Sequence, residues 1–319
     1  MSENNRLMYF PIAFFPMVMG LAGLSIATQQ AEKSLGIVSV LGTLFGLVTL
    51  GVFAVVATLY VLKFKRYRQA VNQEFNHPIK LHFFPAISIG LLLLGGVFLP
   101  LCKPLSFVLW SLGAILHLVF TLKIVSLWMH HQQFEFNHMN PSWFLPAVGN
   151  VIAPIAGVAH APIEISWFFF SVGLIFWVLL LVIFFNRVIF HPMLPPQLLP
   201  TLFILLAPPA IGFIAYLRLV GQLDAFAYIL YFFALFTLML LIVQYKVFIK
   251  LPFFMSWWAY SFPSAAMTIA TFIMAQQSGQ GFFYGLAWLL YVALFALIIL
   301  LLKRTYLGIK NRKICVEGN

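Results

Sequence analysis

The side chains of this chain that could do chemistry are few and poorly grouped for catalysis. Cys102 and Cys315 are its only cysteines, far apart in sequence and expected on opposite sides of a membrane, so neither a disulfide framework nor a thiolate metal site is available. His130, His131 and His138 fall close together but lack carboxylate or cysteine partners on facing helices, and they read as interfacial loop histidines. His117 stands alone in an apolar run, where packing or an interhelical hydrogen bond is the usual role. No nucleophile motif, glycine-rich phosphate loop or histidine box occurs, which argues against an enzyme and against a bound cofactor or metal. One stretch does stand out. In "SWWAYSFPSAAMTIA", residues 256–270, Pro263 interrupts an apolar helix and the bulky Phe262 has Ala259, Ala265 and Ala266 as small helical neighbours. Such a break offers a solute partial charges only, from freed backbone N–H groups and from hydroxyls such as Ser264 and Thr268. Weak binding of that kind permits fast exit of an anion.

The elements that must position these residues are membrane helices. Of 319 residues, 63% are hydrophobic and 8% charged, and the mean hydropathy is +1.02, far from soluble-domain values. The first residues lack a basic stretch leading to a cleavable apolar segment, so the N-terminus is expected to stay in the fold. No polar interruption is long enough for a separate soluble domain, so residues 1–319 read as a single transmembrane domain. The net charge of +11 comes from Lys and Arg at the ends of apolar runs, which is a membrane-topology pattern and not a nucleic-acid footprint.

Apolar runs able to cross about 30 Å of hydrocarbon number ten, at 9–28, 37–62, 82–101, 105–130, 144–160, 165–186, 201–219, 225–246, 253–275 and 281–302. With both termini cytoplasmic, fourteen of the eighteen Lys and Arg fall on the inner side, while Lys33, Lys103 and Arg218 fall outside. Lys123 alone lies within a span, near enough to its end to snorkel. Glu3, Glu74, Glu135 and Glu317 are assigned to the inner side and Glu32, Glu164 and Asp224 to the outer, leaving no carboxylate inside any span. A cation channel or proton relay normally needs one, so anions or small neutral solutes fit better.

Proline separates the odd spans from the even ones. Pro16, Pro85, Pro146 with Pro154, Pro208 with Pro209, and Pro263 mark the five odd spans, and none falls within an even one. The pattern reads as five tandem helical hairpins, an all-α membrane fold. Because kinked backbone in lipid needs protein or water as partner, the odd helices are expected inside, around a central conduit, with the even helices as an outer ring. The small residues Gly149, Gly212 and Ser264 on the odd spans complete the set of expected kink and pore-lining positions.

Three segments carry a resemblance: "WWAYSFPSAAMTIA" in the ninth span, "FFPMVMGLAGLSIA" in the first and "NPSWFLPAVGN" entering the fifth. With the span number and hairpin order, they make the chain similar to the tellurite-resistance/dicarboxylate transporter family, which includes bacterial TehA and the plant guard-cell slow anion channels. The resemblance implies an anion channel for small inorganic anions, plugged midway by a phenylalanine whose matching position is Phe262. It also implies a homotrimer with one pore per subunit and a multi-pass location in the bacterial inner membrane. Export or exchange of sulfite, tellurite-related oxyanions or C4-dicarboxylates is the competing expectation.

Overall fold

The computed structural model describes residues 6–130 and 134–316; Glu3, His131 and Glu317 lie outside the described residues. The described chain is helical, with α1 Phe15–Ser34, α2 Leu41–Arg66, α3 Arg68–Asn76, α4 Pro85–Phe98, α5 Lys103–His130, α6 Leu145–Gly157, α7 Ile163–Phe190, α8 Ala207–Val220, α9 Ala225–Val243, α10 Tyr245–Ile249, α11 Ser261–Ser278 and α12 Gly281–Lys310. Eight helical stretches among the described residues are long and apolar enough to cross a membrane. α6 and α11 fall outside that set. The first has 13 residues, and the second carries Ser261, Ser264, Thr268, Thr271, Gln276 and Gln277.

Proline acts differently from the expectation of a bend in a continuous helix. α1, α4, α6, α8 and α11 are each entered through a stretch of 3₁₀-helix, at Ile12–Phe14, Lys80–Phe83, Pro141–Phe144, Leu199–Leu206 and Met255–Tyr260. Pro16, Pro85, Pro146, Pro208, Pro209 and Pro263 all sit in the first turn of the α-helix that follows. There a backbone N–H has no α-helical partner to lose, and the fixed φ of proline favours the start of an α-helix. The break is therefore a change of winding at the junction, and only Pro154 among these prolines stands inside an α-helix. α5 also starts earlier than expected and takes Pro104 into its first turn.

Successive helices pack in pairs, α1 with α2, α4 with α5, α6 with α7, α8 with α9 and α11 with α12. The 3₁₀-led members also pack on one another in a closed cycle: α1 on α4, α4 on α6, α6 on α8, α8 on α11, and α11 back on α1. Burial divides them the same way. The apolar stretches ending in α1, α4 and α8 are 83%, 89% and 78% buried, whereas those of α2, α5, α7, α9 and α12 are between 22% and 39% buried. The latter present Leu47, Ile115, Val182, Ile229 and Val292 outward, side chains suited to lipid.

Small residues and hydrogen bonds, not burial from water, hold helices together in such a setting. A Cβ on Gly173 of α7 would stand 2.7 Å from the Ala147 carbonyl oxygen of α6, so the two backbones meet there. His117 of α5 bonds Ser88 Oγ of α4 at 2.9 Å and the Pro146 carbonyl of α6 at 2.8 Å, and Asn150 donates to Thr121 Oγ1 at 2.9 Å. Trp110 Nε1 donates to the Ala153 carbonyl at 2.8 Å.

Candidate functional site

The 3₁₀ junctions converge at one end of the bundle, the end that also holds the last turns of α12. A cavity of about 980 Å³ opens there. All five helices of the closed cycle, or their 3₁₀ leads, reach its wall: Pro16 and Met19 of α1, Phe83 ahead of α4, Leu145 and Val148 of α6, Ala207 of α8, and Phe262 and Pro263 of α11. The junction places these side chains because 3₁₀ winding rises faster and turns tighter than α winding, which redirects the chain just before each helix begins.

Phe262 is 3% exposed and stands on this wall in the first turn of α11. Its surroundings are small on the α1 side, where a Cβ added to Gly23 would come within 3.5 Å of Phe262 Cδ2 and 2.7 Å of Ala265 Cβ. The 3₁₀ lead before it is pinned by Trp258, whose Nε1 donates to Thr305 Oγ1 of α12 at 3.0 Å. Ser261 Oγ donates to the Trp258 carbonyl at 2.6 Å, closing the same turn from inside.

Of the expected kink and pore-lining positions, Pro16, Pro263 and the gate candidate Phe262 share this wall, and the others do not. Pro85, Pro146, Pro154, Pro208 and Pro209 are buried and do not line it, although Pro146 and Pro208 directly follow the lining residues Leu145 and Ala207. Gly149 faces α5, where an added Cβ would fall 2.0 Å from His117 Cε1, so its smallness serves the His117 ring. Gly212 faces Leu230 of α9. Ser264 Oγ donates to the Tyr260 carbonyl at 2.7 Å and Thr268 Oγ1 to the Ser264 carbonyl at 2.8 Å, so both hydroxyl protons are committed to the helix backbone.

The polar part of the wall is basic. Lys80, Arg304 and Lys313 line it, with Glu74 and His77. Burial, then the nearby Lys80 and His138 charges, hold His77 below the usual histidine range, and its Nδ1 accepts from the Ile79 and Lys80 N–H groups at 3.1 and 3.3 Å. Glu74 is not free. Lys63 Nζ lies 2.7 Å from Glu74 Oε2 and donates to the Phe10 carbonyl at 2.8 Å, while Tyr60 Oη donates to the same carboxylate oxygen at 2.9 Å. Both charges fall on the inner side by the sequence, but their pairing is not written there, because the helix break at Tyr67 lies between them and sets their relative position. Glu32 is another departure. It sits in the last turn of α1, buried, and its two carboxylate oxygens accept from the N–H groups of Leu41 and Gly42 at 2.7 and 3.1 Å, capping α2. Lys123 is exposed on α5 and does not reach the cavity.

These features define a multi-pass, all-helical membrane protein whose 3₁₀-led helices converge on one basic cavity. The chain belongs to the voltage-dependent anion channel (SLAC1) family, whose sequence pattern matches residues 9–306. It is 31% identical over 272 residues to the S-type anion channel SLAH3 of Arabidopsis thaliana, an alignment covering 83% of this chain and 43% of that protein. It is 28% identical over 264 residues to the tellurite resistance protein TehA homolog of Haemophilus influenzae, covering 81% and 79% of the two chains. It is 26% identical over 327 residues to the uncharacterized transporter MJ0762 of Methanocaldococcus jannaschii, covering 94% and 96% of the two chains. The chain thus spans about half the length, or less, of the plant channels SLAH3 and SLAH2 that it matches. The family is one of anion channels and transporters and not of enzymes.

Proposed function

We propose that the chain is a passive channel for small monovalent anions such as chloride and nitrate, with a central conduit enclosed by α1, α4, α6, α8 and α11 and plugged by Phe262. In this reading α6 and α11, with their 3₁₀ leads, complete ten spans as five hairpins. Both termini are cytoplasmic, following the Lys and Arg count, and the cavity is the cytoplasmic mouth. One observation carries the proposal: Phe262, 3% exposed, stands on the wall of a cavity to which all five helices of the closed cycle contribute.

The electrostatics support an anion. The helices of the cycle begin at the cavity, so their N-terminal ends, with partial positive charge, face the same region as Lys80, Arg304 and Lys313. Partial charges and rim cations attract an anion without a deep trap. Phe262 closes the conduit by its bulk and by making the constriction too apolar to wet, and the ring packs on the small Gly23 of α1, which has no side chain to hold it in place.

The test is reconstitution in liposomes with a panel of anions, comparing the wild-type chain with Phe262→Ala. Current through the variant should rise strongly and follow the anion gradient regardless of the pH gradient. An unchanged, closed Phe262→Ala refutes the plug. Saturable flux driven by protons would instead support a coupled exporter of oxyanions or dicarboxylates. Homotrimer formation, which the family resemblance implies, is checked by the mass of the purified protein in detergent or nanodiscs.

A further inference from the structure

We infer that Lys63 sets the charge an anion meets on entering the cavity, by holding Glu74 as a neutral pair. This rests on the channel reading above and adds a residue that sets anion conductance away from the plug.

Among the described residues that line the cavity, Glu74 is the one carboxylate. A bare carboxylate there would oppose the field of Lys80, Arg304 and Lys313 at the point where anions gather. Lys63 comes from α2, an outward-facing helix, yet its side chain turns inward and is almost fully buried, at 1% exposure. A lysine in the last turn of a membrane helix ordinarily extends its ammonium to water. This one gives up that option and places its ammonium 2.7 Å from Glu74 Oε2, with the Phe10 carbonyl as second acceptor at 2.8 Å. Tyr60, one turn earlier on α2, donates to the same Oε2 at 2.9 Å. Two residues of an outer helix are thus committed to a single acid on the wall of the cavity. Holding charges out of water is costly unless they are paired and hydrogen-bonded, and here they are both. The outcome is a wall whose described acid is cancelled, while no described carboxylate stands within ion-pair distance of Lys80 or Arg304.

Electrostatic and purely structural roles predict opposite patterns. Removing either partner breaks the same hydrogen-bonded cluster, so structural damage would shift conduction in the same direction in both variants. If charge is the point, the signs differ. Glu74→Gln leaves the Lys63 cation uncompensated and raises chloride conductance. Lys63→Met bares the carboxylate and lowers it.

The experiment records chloride current from the full-length chain carrying Phe262→Ala, alone and with Glu74→Gln, Lys63→Met or both, in symmetrical potassium chloride at about 10 mM and about 1 M, where the screening length falls from roughly 30 Å to roughly 3 Å. At low salt each single variant should move conductance roughly twofold in its own direction, the Boltzmann factor for a unit charge about 10 Å away in water. The double variant should return to the parent value, and all four should converge at high salt. Should Lys63→Met fail to assemble, Glu74→Lys replaces it and must raise low-salt conductance above Glu74→Gln. Shifts of the same sign in both single variants, or differences that persist at high salt, overturn the inference. Absence of anion current from the Phe262→Ala parent refutes the channel reading itself, and that is read first.

Discussion

Gly20→Ala should separate the two helices that hold the proposed plug. Gly20 of α1 faces Ser261 of α11, the residue immediately before Phe262. An ideal Cβ at position 20 would lie 2.0 Å from Ser261 Oγ and 2.6 Å from Ser261 Cβ. Comfortable carbon–carbon contact is about 3.5–4.0 Å, so α1 and α11 must part by about 1 Å. Rotating the Ser261 hydroxyl away does not relieve the Cβ contact, and it forfeits the 2.6 Å bond to the Trp258 carbonyl. Overpacking of this size costs about 1–3 kcal/mol, and the lost hydrogen bond about 1 kcal/mol more. The prediction is a melting temperature several degrees below wild type in detergent, together with a raised basal anion leak in liposomes as the Phe262 turn is displaced. Gly285→Ala is the control, because nothing lies within 4 Å of its added Cβ. Ser261→Gly placed on Gly20→Ala removes the colliding atoms and should restore both readouts. A Gly20→Ala protein as stable and as tight as the Gly285→Ala control, with no effect of the second change, would refute the packing argument.

Gly149→Ala should be worse than an ordinary helix substitution, because its Cβ would strike the His117 ring and displace the bonds to Ser88 and the Pro146 carbonyl; His117→Ala on top of it should recover part of the lost thermal stability. Asp224 caps α9 through the Ala227 N–H at 3.0 Å and accepts from Tyr216 Oη at 2.6 Å, and these bonds, the tyrosine's first, hold its carboxyl below the usual range. Its stabilisation is therefore present above the ordinary carboxylate pKa and lost as pH falls through the lowered folded value. Asp224→Asn should lower the melting temperature at pH 7, and the gap from wild type should shrink on acidification, as a melting series in pH would show.

The membrane class, the apolar runs and the distinction between proline-bearing and smooth helices were legible in the sequence. Phe262 drew notice through its proline and its alanine neighbours, while its role as a plug came with the family resemblance and stays a proposal. What proline does was not legible. A 3₁₀ lead followed by an α-helix and a kinked α-helix place the same residues in the same order, and only the observed winding puts Pro16, Pro85, Pro146, Pro208, Pro209 and Pro263 in first turns. Gly149 and Gly212 read as candidates for a conduit wall because of their helices and their small size; what they pack against, the His117 ring and Leu230, only the rotation of each helix could set. Lys63 and Glu74 gave no pairing signal, since the helix break at Tyr67 falls between them.

The division has one physical cause. Hydrocarbon obliges each crossing segment to satisfy its own backbone and to face lipid with apolar side chains, conditions met by residues near one another in the chain, and so written in the order of residue types. Which side chains meet across helices depends on the depth and rotation of every helix at once, and these are settled by packing. For that reason the sequence by itself determined a helical membrane protein with two kinds of helix, and the tertiary structure alone decided that Phe262, Pro16 and Glu74 share one cavity while Gly149 and Ser264 do not.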